Sequence, residues 1–221
     1  MQQQPGMIFD VDGVLVDSYQ AHYDSWQVVA REARFEFTER RFIDTFGRTT
    51  REILRGIFGE GGITAERITE LDLRKEAAYR GILSQSFPAM AGAAPLIDAC
   101  VAAGFPLAVG SSGPPENVQL VLERLGRAAS FRAVVTGTDV TLGKPHPQVF
   151  LLAAERLGLP AERCVVVEDA PAGIEAARRA GMKCIGFVSR GHTFAELAAA
   201  DRCVASLEEI SPELARALLA A

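Results

Sequence analysis

Five short apolar runs alternate with helical patterns along much of the chain. The runs end at Phe9, Gly110, Val135, Val167 and Val188, and their length and β-branched residues are typical of buried strands. Between them, "HPQVFLLAAERLG" and "PAGIEAARRAG" have a proline near the helix start and a glycine after its end. The alternation predicts an α/β fold, a doubly wound parallel (Rossmann-like) sheet with helices on both faces.

Residues 19–86 break this alternation, because they show helical periodicity and no convincing strand pattern. One apolar face begins at Tyr19 and includes Trp26 and Val29, and a second face includes Ile68 and Leu71. An all-helical segment inserted after the first strand predicts a small cap domain. We therefore expect an α/β core domain of residues 1–18 and 87–221 and a helical cap domain of residues 19–86.

Composition narrows the classes of partner. The 221 residues are 48% hydrophobic, and 23 basic against 28 acidic residues give a net charge of −5 without a basic run, so no nucleic-acid partner is expected. No apolar stretch approaches the roughly 18 residues that span a bilayer, and "MQQQPG" lacks the features of a signal peptide. Four scattered cysteines favour buried thiols over a metal cluster. We expect a cytoplasmic protein with no membrane partner.

Polar residues follow the predicted strands at four places. Asp10 follows "MIF", Ser111 follows "PLAVG", Lys144 lies in the loop after "AVV", and Glu168-Asp169 follows "CVVV". In open parallel sheets, ligands bind beyond the carboxyl ends of the strands. Carboxylates bind Mg²⁺, and an amine and a hydroxyl can hold phosphate oxygens, so these strand ends predict a site for a divalent cation and a phosphate.

Each residue also has an ordinary structural alternative. Asp169 could cap the helix that opens at Pro171. Lys144 alone would more often be a solvated loop lysine, and Ser111 alone a turn residue. Their joint placement favours the functional interpretation. The Asp-x-Asp-Gly sequence that begins at Asp10 resembles the start of an EF-hand calcium loop. The glycine and glutamate that an EF-hand needs at its sixth and twelfth positions are missing, so this alternative is rejected.

Four motifs taken in order resemble those of a known family. They are Asp10-Val11-Asp12-Gly13-Val14, Ser111, Lys144-Pro145 and Glu168-Asp169. This series is similar to the haloacid dehalogenase (HAD) superfamily of aspartate-nucleophile phosphotransferases. The helical insert resembles the cap of the subgroup that contains β-phosphoglucomutase and many small-molecule phosphatases. The presence of Asp12 favours phosphate esters, because dehalogenases and phosphonatases of this superfamily lack an aspartate at that position.

The resemblance implies a two-step phosphoryl transfer. Asp10 would attack phosphorus and form an aspartyl-phosphate, which splits one difficult displacement into two easier ones. Asp12 would protonate the leaving alkoxide and then take a proton from the incoming water or hydroxyl. Ser111, Ser112 and Lys144 would bind the phosphate oxygens.

The same resemblance implies a Mg²⁺ cofactor. Its ligands would be Asp10, the backbone carbonyl of Asp12, and Asp169, with Glu168 binding either directly or through water. The resemblance further suggests a cis bond before Pro145, and a monomer is the default for this cap type.

Cap residues supply candidates for contacts with the substrate. His22 and Lys75 match a histidine and a lysine in the cap of β-phosphoglucomutase. His22 could equally be a packed histidine at the cap edge, and Lys75 could hold its amine in water over an apolar face. Thr50 falls near the position of a cap arginine of the mutase, with Arg48 and Arg51 flanking it.

The loop after Ser111 favours a phosphatase over a mutase. Gly113-Pro114-Pro115 stands where the mutase pattern has a Ser-Lys-Asn run, and prolines supply neither a charged side chain nor a backbone N–H. We expect hydrolysis of a small-molecule phosphate monoester of sugar-phosphate type, and the mutase stays open because an arginine of the cap could contact a second phosphate. A phospho-receiver module is disfavoured, since its acidic pair precedes the nucleophile, whereas here the pair comes last.

Overall fold

The chain forms two compact units. The computed structural model describes residues 5–45 and 49–220. One unit comprises Met1–Asp17 and Pro88–Ala221, and the other comprises Ser18–Phe87. Each of these bounds lies one residue from the bound expected for the core and cap domains.

The first unit contains a six-stranded sheet in which every neighbouring pair is parallel. The spatial order is β3-β2-β1-β4-β5-β6. The strands are β1 Gly6–Phe9, β2 Leu107–Gly110, β3 Phe131–Val135, β4 Cys164–Glu168, β5 Lys183–Phe187 and β6 Arg202–Val204. This is the predicted doubly wound α/β fold. Its strand order reverses between β1 and β4, which is where ligands bind in such sheets.

Burial of both faces explains the continuous apolar strands. All residues of β1, β2 and β4 are buried, as expected when helices cover both sides of a parallel sheet. On one face Ile8, Ala108 and Val166 pack with residues of two helices, α7 Gln148–Leu157 and α8 Pro171–Arg179. The other helices of the unit are α5 Ala93–Ala102, α6 Pro115–Leu125 and α9 Pro212–Ala220.

Glycine and proline residues mark the ends of helices, as the sequence predicts. The helix α7 ends at Gly158, whose φ of 71° is a left-handed conformation that glycine adopts easily. The helix α8 starts with Pro171 in its first turn, as predicted. The strand β6 was missed by the sequence analysis, because it has only three residues and pairs on one side alone.

Helices are the regular elements of the second unit within its described residues, and short turns and loops connect them. Its helices are α1 Tyr19–Ala33, α2 Glu39–Thr45, α3 Thr50–Phe58 and α4 Ala65–Gln85. Their apolar faces meet in a core that includes Trp26, Leu54 and Leu71. The helix α3 begins with a capping box in which Thr49 and Glu52 satisfy each other's backbone N–H groups.

Two further expectations concern cysteines and membranes. All four cysteines are free thiols, and Cys100, Cys164 and Cys184 are buried. Burial raises the pKa of the Cys100 thiol to about 12. In the ranges that the structure describes, no helix has both the length and the apolar character that crossing a membrane requires.

The junction between β4 and α8 provides a test of the packing. A Cβ at Gly173 would lie 1.7 Å from Oε1 of Glu168, whereas a Cβ at Gly81 in α4 would meet no atom within 4 Å. We expect Gly173→Ala to lower the free energy of unfolding by about 1–3 kcal/mol through overpacking. The control Gly81→Ala should raise it by about 0.5–1 kcal/mol. Urea denaturation measures both, and equal effects of the two substitutions would contradict the packing of Glu168 on α8.

Candidate active site

Asp10 stands directly after the central strand β1. Its backbone N–H donates to the carbonyl of Val167 at 3.0 Å, which ties the start of the loop to β4. Its side chain is buried, and its Oδ1 accepts a hydrogen bond from Nζ of Lys144 at 2.7 Å. The carboxylate is therefore fixed by the sheet on one side and by a lysine on the other.

The chain turns tightly after Asp10. The N–H of Gly13 donates to the carbonyl of Val16 at 2.9 Å, and Gly13 has a φ of +77°. A Cβ at this position would lie 1.8 Å from Oδ2 of Asp169, so both the conformation and the contact require glycine. The turn lets the loop approach the end of β4 closely.

Asp12 and Ser111 border the same glycine. A Cβ at Gly113 would lie 3.3 Å from Oγ of Ser111 and 3.7 Å from Oδ2 of Asp12. Ser111 is buried after β2, and its Oγ accepts the N–H of Gly113 at 3.0 Å. Asp12 is half-buried, and Ser112 is exposed. The structure thus brings Asp12 and Ser111 together, whereas Ser112 presents its side chain to solvent.

Lys144 joins two acidic residues. Its Nζ donates to Oδ1 of Asp10 and to Oε1 of Glu168, at 2.7 Å each. The same amine lies 4.8 Å from the ring centroid of Phe150, a cation–π distance. The Lys144-Pro145 bond is cis, which confirms the expectation. The alternative of a solvated loop lysine is wrong, because the side chain is only 9% exposed.

The loop that carries Lys144 is closed by a single amide. Oε1 of Gln148 accepts from the N–H of Thr141 at 3.1 Å, from the hydroxyl of Thr141 at 3.2 Å and from the N–H of Leu142 at 3.0 Å. Gln148 is the first residue of α7. The first turn of a helix in the core therefore holds the loop in place.

The two acids at the end of β4, Glu168 and Asp169, have different hydrogen-bond partners. Oε2 of Glu168 accepts the N–H of Ala170 at 2.8 Å, in addition to the bond from Lys144 to Oε1. Oδ2 of Asp169 accepts a hydrogen bond from Oγ of Ser189 at 2.6 Å. The cap alternative for Asp169 is wrong, because the residue that precedes α8 is Ala170 and no side chain caps that helix end.

Asp10, Glu168 and Asp169 form a buried acidic cluster. One carboxylate oxygen from each lies within 4.8 Å of the others. Burial raises the pKa of Asp10 to about 7, although the charge of Lys144 opposes this shift. Burial, followed by the charges of Glu168 and Asp10, raises the pKa of Asp169 well above its usual range. Burial lowers the pKa of Lys144, but the charges of Asp10 and Glu168 outweigh it and the net shift is upward.

This cluster fits a divalent cation by its chemistry. Three carboxylates share the site with one lysine, so negative charge is in excess. Carboxylate oxygens are the ligands that hard cations such as Mg²⁺ and Ca²⁺ prefer. A bound dication would also favour the ionised form of the buried acids.

Two candidates for substrate contact in the second unit, His22 and Lys75, lie next to each other. Nζ of Lys75 lies 3.1 Å from Nδ1 of His22 and donates to Oε1 of Glu76 at 2.8 Å. The ring of His22 stacks on Tyr79 with centroids 4.2 Å apart. Lys75 is 6% exposed, so the alternative with its amine in water is wrong. His22 and Lys75 therefore belong to one partly buried polar group.

Of the remaining cap candidates, the structure describes Thr50 and Arg51. Thr50 is half-buried in the first turn of α3, and Arg51 beside it is exposed. Arg48 lies outside the described residues.

Sequence reasoning missed Ser189 and Glu76. Ser189 follows β5 by two residues, so the rule that polar residues after strand ends carry the chemistry would have selected it. Glu76 follows Lys75 directly in α4, and neighbours on a helix do not normally face each other, so no pattern indicated their ion pair.

Similarity to known proteins agrees with this geometry. A family model described as haloacid dehalogenase-like hydrolase matches residues 5–181. Hexitol phosphatase A of Escherichia coli is 32% identical over 215 residues, which cover 93% of each chain. β-Phosphoglucomutase of Bacillus subtilis is 30% identical over 214 residues, which cover 94% of this chain and 92% of the relative.

The fold has a similar solved counterpart. The crystal structure of a HAD hydrolase, family IA, variant 3, from Entamoeba histolytica has a TM-score of 0.90 and 26% identity, over 99% of this chain and 100% of that chain. The family model spans more than half of the sequence, from before β1 to after α8. The chain therefore belongs to the haloacid dehalogenase-like hydrolases and is an enzyme of that family.

Proposed function

We propose that the enzyme is a Mg²⁺-dependent phosphatase that hydrolyses a small-molecule phosphate monoester through an aspartyl-phosphate on Asp10. The observation that carries the proposal is the position of Lys144, whose amine bonds to both Asp10 and Glu168 at 2.7 Å. A nucleophilic carboxylate, a phosphate-binding amine and metal-ligating acids are then in direct contact. These are the groups that phosphoryl transfer to a carboxylate needs.

Asp10, the backbone carbonyl of Asp12, and Asp169 would hold the Mg²⁺, with Glu168 direct or through water. When bound, the cation supplies positive charge that neutralises the phosphoryl oxygens and the crowded acids. Ser111 and Lys144 bind the remaining phosphoryl oxygens. Because the Ser111 hydroxyl accepts the N–H of Gly113, its own proton can be donated to the phosphate.

The first step forms a bond between a carboxylate oxygen of Asp10 and phosphorus, and the ester P–O bond breaks. Asp12 gives its proton to the departing alkoxide. In the second step Asp12 removes a proton from water, the water oxygen attacks phosphorus, and the bond to Asp10 breaks to release inorganic phosphate. Asp12 suits this task because it borders Gly113 and is half-buried, so protons can exchange there.

A sugar-phosphate-like substrate is the class we propose. Hexitol phosphatase A and β-phosphoglucomutase, both similar over more than nine-tenths of this chain, carry names that refer to phosphorylated polyols or sugars. We propose that Ser18–Phe87 acts as the cap that selects the substrate. Its candidates for that task are His22, Arg48, Thr50, Arg51 and Lys75.

A phosphosugar mutase is the second candidate, favoured by the β-phosphoglucomutase relative. A mutase must hold the second phosphate of a bisphosphate. Here α6 is preceded by Pro114 and begins with Pro115, and neither residue offers a backbone N–H or a polar side chain. The local chemistry after Ser111 therefore supports hydrolysis over mutase activity.

Asp10→Asn tests the nucleophile. The substitution keeps the shape of the side chain but removes the attacking oxygen and a metal ligand, so Mg²⁺-dependent phosphate release should disappear while the circular dichroism spectrum is retained. The control Asp44→Asn changes an exposed aspartate of α2 and should retain full activity. Mass spectrometry of the quenched wild-type enzyme should detect one added phosphoryl group. Substantial turnover by Asp10→Asn would exclude covalent catalysis by this residue.

Asp12→Ala tests the general acid. A poor alkoxide leaving group needs its proton, so hydrolysis of sugar phosphates should slow by about 10²–10⁴-fold. Hydrolysis of p-nitrophenyl phosphate should slow much less, because p-nitrophenolate departs unprotonated. Steady-state kinetics on both substrates gives the two ratios. Equal slowing of both would remove Asp12 from the role of acid.

Product analysis separates phosphatase from mutase. We expect the wild-type enzyme with Mg²⁺ to release inorganic phosphate from several sugar phosphates. When a bisphosphate activator is present, it should convert no β-glucose 1-phosphate to glucose 6-phosphate. Phosphorus NMR resolves the three species. Isomerisation that outpaces phosphate release would establish the mutase instead.

A further inference from the structure

Ser189 lies at the acidic cluster without belonging to any of the family-like motifs. It follows β5, the neighbour of β4, and in that pair Glu168 is aligned with Gly186. Two backbone hydrogen bonds hold this turn. The N–H of Val188 donates to the carbonyl of Val204, and the N–H of Ser189 donates to the carbonyl of Phe187, both at 2.9 Å. The hydroxyl is therefore presented by ordered backbone at the carboxyl edge of the sheet.

That hydroxyl acts on one oxygen of Asp169. Oγ of Ser189 donates to Oδ2 at 2.6 Å, a short distance that is typical of a hydroxyl bonded to a carboxylate. Within residues 5–45 and 49–220 this is the one hydrogen bond that the Asp169 side chain accepts. Oδ1 therefore stays available to a ligand.

A second contact restricts the same oxygen. A Cβ at Gly13 would lie 1.8 Å from Oδ2 and 3.2 Å from Oδ1 of Asp169. Oδ2 is thus enclosed by the Gly13 backbone and by the Ser189 hydroxyl. The carboxylate cannot rotate freely, and its two oxygens are not equivalent.

We infer that Ser189 is a positioning residue: its hydroxyl leaves Asp169 a single oxygen with which to bind the cation, and this favours Mg²⁺ over Ca²⁺. The inference rests on the proposed function. Mg²⁺ requires near-octahedral geometry with single oxygens, whereas Ca²⁺ accepts six to eight oxygens and commonly binds both oxygens of a carboxylate. Holding Oδ2 in a hydrogen bond removes the second oxygen that Ca²⁺ would use. Outer partners of this kind orient ligands and change metal affinity by about 10–100-fold.

Cation binding to the substrate-free protein tests this inference without using activity. Isothermal titration calorimetry with MgCl₂ and with CaCl₂ is performed on wild type, Ser189→Ala and Ser189→Thr. Ser189→Ala should bind Mg²⁺ roughly 10-fold more weakly, with Ca²⁺ binding unchanged or tighter, so that the Mg²⁺/Ca²⁺ affinity ratio falls by at least that factor. Ser189→Thr keeps the hydroxyl and should retain most of the wild-type affinity and ratio.

Ser206→Ala is the matched control. It removes a half-buried hydroxyl from the same unit, but that hydroxyl accepts the N–H of Glu208 and touches no acid of the cluster. Its cation affinities should equal those of wild type. Thermal unfolding of each variant verifies that the protein is folded.

Several outcomes would overturn the inference. Unchanged Mg²⁺ affinity and ratio in Ser189→Ala would remove the positioning role. An equal loss for both cations would indicate general loosening and remove the selectivity. Failure of the proposed function is distinguishable, because the wild type would then bind Mg²⁺ but release no phosphate. A wild type that binds neither cation would overturn both.

Discussion

The burial of three neighbouring carboxylates is the constraint on which the site depends. Asp10, Glu168 and Asp169 each place an oxygen within 4.8 Å of the others, and Lys144 bonds to only two of them. The pKa of Asp10 rises from an ordinary 3.8 to about 7. Between these values the folded chain binds more protons than the unfolded chain, so ionisation of Asp10 lowers stability as pH rises through that window. A dication bound at the cluster would offset this loss and would couple cation binding to folding.

The fold meets this constraint by bringing backbone close to the acids. Because β1 lies between β2 and β4, the loop after Asp10 and the end of β4 are adjacent. Gly13 and Gly173 leave the space that the Asp169 and Glu168 carboxylates occupy. Ala170, the residue before α8, contributes an N–H that bonds to Glu168. Charged groups that would be costly to bury alone are therefore each held by a hydrogen bond or a lysine.

The sequence predicted strands and motifs better than side-chain partners. The apolar runs located the carboxyl ends of β1 to β5 within a residue, because buried parallel strands carry continuous apolar residues. The helices α1 and α4 followed from their apolar faces. Motif order placed Asp10, Lys144 and Glu168 together. The cap interpretation of Asp169 was wrong and Ser189 was missed, because their hydrogen bond joins residues twenty positions apart through the turn after β5. Such pairings depend on tertiary geometry that periodicity does not encode.

The proposed reacting groups and the proposed substrate-selecting residues lie in separate segments of this chain. Every group of the acidic cluster, with Asp12, Ser111 and Lys144, lies in Met1–Asp17 or Pro88–Ala221, at the ends of strands whose positions the core determines. The partly buried group of Lys75, His22, Glu76 and Tyr79 lies in Ser18–Phe87, which packs around its own apolar core. Under the proposed function, a substitution in that second core leaves every proposed reacting group of the first unit in place. Such a separation is in keeping with the similarity of this chain, near 30% identity, both to a relative named as a phosphatase and to one named as a mutase.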